Sequence, residues 1–138
     1  MDPNPVVMLE HKGLYWSKVP GTEEAKNTEP DRDYVLPLGK ASIVISASKE
    51  ATDNGESCCV ITYGMGVYWA KNAAKEFPGQ VEIVDLRTLN PLDEALVFAS
   101  VRKHGKCIVE FSFAIQKIGR STNAVATVIT SRATAVTP

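Results

Sequence analysis

Two short stretches and a few single residues hold the chemistry this chain could offer. Gly64-Met65-Gly66 stands between an apolar run and a helical pattern, and Asp85 follows where nucleotide-binding folds place a ribose-binding acid. That fingerprint needs a third small residue where helix meets sheet, and the residue there is Trp69, whose indole would crowd a pyrophosphate. A tight strand-to-helix turn explains both glycines equally well. The second stretch is Asp85-Leu86-Arg87-Thr88-Leu89-Asn90-Pro91-Leu92-Asp93. It falls where a strand ends and a helix begins, the edge at which α/β proteins place ligands and partners. On an extended chain Asp85 and Arg87 share a face while Leu86 turns the other way. A salt-bridged loop leading into a helix is the plainer account, and a surface pair there contributes at most ~1 kcal/mol.

Other reactive side chains are scattered. The three cysteines are an odd number without C-x-x-C spacing, and Cys58 and Cys59 are adjacent in an apolar run, as is Cys107 in another. In strands the first two point to opposite faces, which reads as core packing in a reducing compartment. His11 and His104 are far apart in sequence, so no metal-ligand cluster forms. His104, at a helix end before Gly105, reads as a cation favoured by the helix dipole. A net charge of −1 gives no electrostatic case for nucleic acid or a membrane surface. No apolar run approaches the roughly 20 residues needed to cross a bilayer, and no signal-peptide pattern is present, so an intracellular protein is expected.

The elements that must position these residues follow from periodicity. Val6–Leu9 is a short strand pattern after a turn-forming opening, and 18–33 is polar, Pro-containing linker composition. Beyond it come strands at 41–47, 58–63, 81–84 and 106–111, with helices at 67–77 and 94–103. Pro78-Gly79 and Gly105 stop the helices, and Asp93 caps the second. Residues 49–57 read as a polar loop with an Asn54-Gly55 turn. Strand–helix alternation predicts crossovers and a parallel sheet. After Glu110 no acidic residue occurs, and 120–138 shows no clear apolar period.

Several motifs, in order, resemble one family. DLRTLNPLD is very similar to the D-L-R-T-L-x-P-L-D signature of 2-oxo acid dehydrogenase E1 beta subunits, members of the transketolase C-terminal domain family. DPNPVVMLEHKGLYW resembles the end of their pyrimidine-binding domain. YVLPLGKASIV, with Pro37-Leu38-Gly39-Lys40, resembles the entry to their C-terminal domain, and CCVITYGMGV the strand and turn before its first helix. The resemblance covers roughly residues 2 to 110.

The resemblance implies a division at 1–17 (end of a pyrimidine-binding domain), 18–33 (linker), 34–111 (C-terminal domain) and 112–138 (atypical tail). It implies a three-layer α/β sandwich with a mostly parallel sheet whose first strand is antiparallel. In this family thiamine diphosphate, with Mg²⁺, sits between alpha and beta chains and drives decarboxylation of a 2-oxo acid and acyl transfer to lipoamide. The activating Glu and catalytic His of the family lie upstream of the residues present, so no catalytic or cofactor-binding residue is assigned and no cofactor is expected on this chain alone. Glu10 and His11 fall near the last pyrimidine-domain strand, where related transketolases carry a substrate-contacting arginine, so they are substrate-proximal candidates. Asp85, Arg87, Leu89 and Pro91 are implied to serve an interface with a second beta subunit, alongside an alpha subunit and an acyltransferase core. The implied compartment is the bacterial cytoplasm or the mitochondrial matrix. The tail EFSFAIQKIGR… departs from the family's second acid and glycine-containing loop. That departure suggests a non-native end that would leave the last strand as a bare edge.

Overall fold

The computed structural model describes residues 5, 7, 12–16, 19–26 and 28–110, and the backbone of 127–129. The chain divides into two units, Met1–Tyr34 and Val35–Pro138. In the first, a single helical turn α1 spans Lys12–Tyr15, and a 3₁₀ turn spans Glu23–Ala25. The Tyr15 and Trp16 rings meet edge to face at 5.1 Å. Thr22 is fully buried, and its hydroxyl donates to the Val19 carbonyl at 2.6 Å. The expected strand at 6–9 falls largely outside the described residues; Val7, which is described, is exposed.

The second unit is built on β1 (Ser42–Ile45), β2 (Cys58–Thr62), β3 (Val81–Asp85), β4 (Cys107–Val109) and β5 (Thr127–Ile129), in sheet order β1-β3-β2-β4-β5. β2 runs parallel to β3 and β4, whereas β1 lies antiparallel to β3 with a register shift between Ile43 and Ile45. The interior strands read CCVIT and VEIVD with almost every position buried, the composition of a sheet covered on both faces. Alternation then sorts the side chains. Val60, Val81 and Ile83 pack with Ala70 and Ala74 of α3 (Met65–Ala74), while Cys59, Ile61, Val84, Leu86 and Cys107 pack with Leu96, Val97 and Val101 of α4 (Glu94–His104). β3 is reached from β2 through α3, and β4 is reached from β3 through α4 on the opposite side of β2. The two helices therefore sit on opposite faces. This is the three-layer α/β sandwich with a mostly parallel sheet and an antiparallel first strand that the sequence implied.

Two expectations are corrected. Residues 49–57 are not all loop: α2 spans Lys49–Asp53, capped by Ser48, whose Oγ accepts from the Ala51 N–H at 3.1 Å. Its apolar signal is one buried alanine, too little for periodicity to register. The outer edge of β4 is not bare either. β5 pairs with it antiparallel, Cys107 opposite Ile129 and Val109 opposite Thr127, using three β-branched residues suited to a strand.

Gly64 has φ 58° and ψ −124° at the start of α3, a conformation open to glycine alone. Gly66 is required by proximity, because a Cβ there would meet the Thr62 hydroxyl. The turn thus accounts for Gly64, and the close packing of helix on strand for Gly66. Trp69, the residue that disfavoured a dinucleotide, stays exposed at the helix flank, while Ala70 and Ala74 meet the sheet.

Candidate assembly site

The segment following β3 is held by backbone and side-chain hydrogen bonds that use its polar residues in turn. Asp85 Oδ1 accepts from the Arg87 N–H at 3.1 Å, closing a turn in which Arg87 takes φ 57°. Non-glycine residues seldom adopt that conformation, and the aspartate two positions earlier holds it. The extended geometry expected for Asp85 and Arg87 is therefore replaced by this turn. Among the described residues the Arg87 guanidinium forms no ion pair with Asp85, so the salt-bridged loop expected from the sequence is absent as well. Leu86 between them is buried, with its N–H donating to the Thr62 carbonyl at 2.9 Å.

The rest of the loop clasps the entry segment of the unit. The Gly39 N–H donates to Thr88 Oγ1 at 2.8 Å, and that hydroxyl donates onward to the Pro91 carbonyl at 3.1 Å. The Asn90–Pro91 peptide is cis. Asp93 does two tasks at once: Oδ1 accepts from the Leu96 N–H at 3.3 Å as the N-cap of α4, and Oδ2 accepts from the Ala41 N–H at 3.1 Å. PLGK and DLRTLNPLD are thus one structural unit, although about fifty residues separate them. Replacing Asp93 with alanine removes a cap and strands a part-buried N–H; the expected loss is about 1–2 kcal/mol of unfolding free energy, read by urea denaturation.

This clasp turns apolar side chains outward. Leu38 is 73% exposed, Leu89 53% and Leu92 40%, and Pro91 is exposed beside them. Of the residues singled out in the sequence, Asp85, Arg87, Leu89 and Pro91 are brought together in this loop. Asp85 works inside the turn, while Arg87, Leu89 and Pro91 face solvent. Glu10 and His11 lie outside the described residues.

A second polar cluster was not anticipated. Glu82 is 1% exposed on the α4 face of β3, and it accepts from Ser100 Oγ at 2.6 Å through Oε1 and from Lys103 Nζ at 2.6 Å through Oε2. His104 Nε2 lies 3.2 Å from Oε1 without the alignment of a hydrogen bond, while its Nδ1 shares one with Ser57 Oγ at 2.6 Å. His104 is therefore a buried bridge between β2 and β3, and not simply a cation on the helix dipole. Burial alone would push the Glu82 carboxyl up; the Lys103 and Ser100 hydrogen bonds and the His104 ring more than offset it, so the carboxyl sits below its usual range. Ser57, His104 and Glu82 have the chemical order of a hydrolytic triad, but Ser57 is 1% exposed and no substrate reaches it. The cluster ties strands to helix. Its signal was present in the sequence: a carboxylate inside the buried run VEIVD, and Ser100, Lys103 and His104 at i, i+3 and i+4 on one helix face.

Among the described residues no three His, Cys, Asp or Glu side chains converge to hold a metal ion. The described residues do not supply the converging oxygen ligands that a magnesium-bound diphosphate needs. None of the described helices is long and apolar enough to cross a membrane.

A helix-flanked sheet in this strand order, with a clasped loop at the carboxyl edge of β3, defines a class. Residues 48–133 match the family described as the transketolase C-terminal domain, and the chain belongs to that family. Within it, the chain is similar to beta subunits of 2-oxo acid dehydrogenases. It is 38% identical over 120 residues to the 2-oxoisovalerate dehydrogenase subunit beta of Pseudomonas aeruginosa, covering 77% of this chain and 31% of that protein. It is 36% identical over 124 residues to the pyruvate dehydrogenase E1 component subunit beta of Rhizobium meliloti, covering 86% and 23%. The mitochondrial counterpart from Chaetomium thermophilum is 37% identical over 119 residues, covering 86% and 29%. The chain spans less than a third of the length of these relatives.

Proposed function

We propose that this chain is a section of the thiamine-diphosphate-dependent E1 component of a 2-oxo acid dehydrogenase complex, and that its own contribution is subunit assembly. The parent reaction is oxidative decarboxylation of a branched-chain 2-oxo acid or pyruvate with acyl transfer to lipoamide. Thiamine diphosphate and Mg²⁺ are held on other polypeptide. The partners are an alpha subunit, a second beta subunit and a dihydrolipoyl acyltransferase core, in the bacterial cytoplasm or the mitochondrial matrix. Residues 1–17 are the end of a pyrimidine-binding domain, 18–33 a linker and 34–111 the assembly domain. Residues 112–138 form an atypical tail.

The observation that carries this reading is the outward-facing row Leu38, Leu89, Pro91 and Leu92, held rigid by the hydrogen bonds through Thr88 and Asp93. Apolar side chains on a fixed loop lose little freedom when covered, which favours association over display to water. Sedimentation velocity tests it. The full chain is expected to self-associate in a concentration-dependent way, and Leu89→Asp to weaken that by roughly tenfold or more, the scale of burying a charge in an apolar contact. A chain monomeric at all concentrations, alone and with an E1 alpha subunit, overturns the proposal. Titration with thiamine diphosphate and Mg²⁺ is expected to give no heat. A micromolar dissociation constant would place the cofactor site here instead.

A further inference from the structure

α3 covers β2 and β3 but stops short of β4. On that face a trough of about 500 Å³ opens over β4, within the usual volume range of ligand sites. Its construction follows from the sequence. Cys58 on β2 and Ile108 on β4 form the floor, since both fall on the α3 side by alternation. Trp69, Ala73 and Phe77, spaced i, i+4 and i+8, give one wall with an aromatic at each end and a methyl group between.

The charged groups lining it are all of one sign. Glu56 precedes β2 and Glu110 follows β4, and no lysine, arginine or histidine lines the trough among the described residues. Among the described residues neither carboxylate has a hydrogen-bonding or ionic partner. Burial pushes the Glu110 carboxyl up, as expected for an acid whose water has been removed and not replaced by a donor. Trp69 belongs to the end of α3 nearest Glu110, because the Glu110 carbonyl lies beside the first turn of that helix at Gly66. A carboxylate and an indole at one end of an apolar slot are the components of an ammonium site. Cys58 is not its reactive group, since burial raises that thiol and leaves it a poor nucleophile.

We propose that this trough binds an amphipathic organic cation: an amine whose hydrocarbon body lies on Cys58 and Ile108 between Trp69 and Phe77, and whose ammonium meets Glu110. The inference is independent of the assembly role, which uses a different loop.

Three probes with one apolar body and different heads test it: phenylbutylamine, phenylbutanol and phenylbutyrate. The readout is the emission of Trp69 in the full chain carrying Trp16→Phe, which leaves one tryptophan of the two. The amine is expected to bind roughly tenfold more tightly than the alcohol, the combined scale of a cation–π contact and a partly buried ion pair. The carboxylate is expected to bind more weakly still. Salt should weaken the amine alone. Glu110→Gln should bring the amine down to the alcohol and leave the alcohol unchanged, a pattern that an unfolded variant would not give. Ala73→Phe, which fills the slot, should abolish all three responses. The proposal is overturned by equal binding of the three heads, by amine binding that survives Glu110→Gln or Ala73→Phe, or by no response at all. The last result would mean that the trough does not take such a cation in solution.

Discussion

Replacing Glu82 with alanine is expected to cost about 3–5 kcal/mol of unfolding free energy, the scale of breaking a buried ion pair. The carboxylate carries the Ser100 and Lys103 hydrogen bonds and faces the His104 ring, and it is 1% exposed. Without it, the Ser100 hydroxyl loses its acceptor and the buried His104 ring loses the carboxylate it faces, while the desolvation they have undergone remains. Lys103→Ala should lose less than about 1 kcal/mol, since the Lys103 side chain is 44% exposed and its pair is partly screened. A quadruple change of Glu82, Ser100, His104 and Ser57 to apolar residues of similar volume should recover much of the loss, because the Ser57 hydroxyl that His104 partners is removed with it and no fully buried polar group is then orphaned. Urea titration measures all three; a shift below 1 kcal/mol for Glu82→Ala would show that the cluster contributes nothing.

The same carboxyl gives the fold an acid sensitivity of defined sign. The folded-state pKa of Glu82 lies below its unfolded value. Its contribution is complete above the unfolded value, about 4.3 for glutamate, and disappears as pH falls through the depressed folded value. Glu110 works the other way: burial raises it, so its contribution is present at low pH and is lost as pH rises through its folded value. Comparing unfolding free energy against pH for the natural chain and Glu82→Gln isolates the first effect. The variant's curve should be flatter on the acid side.

How much of this could be read from the chain depended on what kind of regularity each feature left in it. The interior strands and both long helices were legible from their patterning: CCVIT is apolar up to its last residue, VEIVD is rich in β-branched residues around Glu82, and α4 has a cap at Asp93 and a stop at Gly105. The DLRTLNPLD loop was legible as a place where an interface could sit, but its internal geometry was not. The turn at Arg87 is closed locally by Asp85 but needs a positive φ that side-chain periodicity does not register, and the clasp on Gly39 depends on a partner about fifty residues away, which no local pattern encodes. α2 was missed because one turn with one buried alanine leaves no period, and β5 because three residues leave none either. The Glu82 cluster was overlooked for another reason: a charged residue in a strand reads as facing water until helix α4 is placed over it.

The approach of α3 to β2 carries the last large effect. Gly66 lies so close to Thr62 that an added methyl group would collide with its hydroxyl, and Thr62 is fully buried with Oγ1 lacking a hydrogen-bond partner. Threonine is stiff at χ1, so the hydroxyl has no cheap way to swing clear, and the helix must lift instead. Gly66→Ala is expected to cost about 1–3 kcal/mol, the range for overpacking a filled core, against a small gain in helix propensity. Thr62→Ala alone should be close to neutral, since it removes an unpartnered hydroxyl along with one methyl group. The two together should lose less than Gly66→Ala alone, with a coupling of about 1 kcal/mol or more. Additive losses in urea denaturation would show that the collision does not govern how close helix and strand pack. They would leave the glycine explained only by the turn that Gly64 begins.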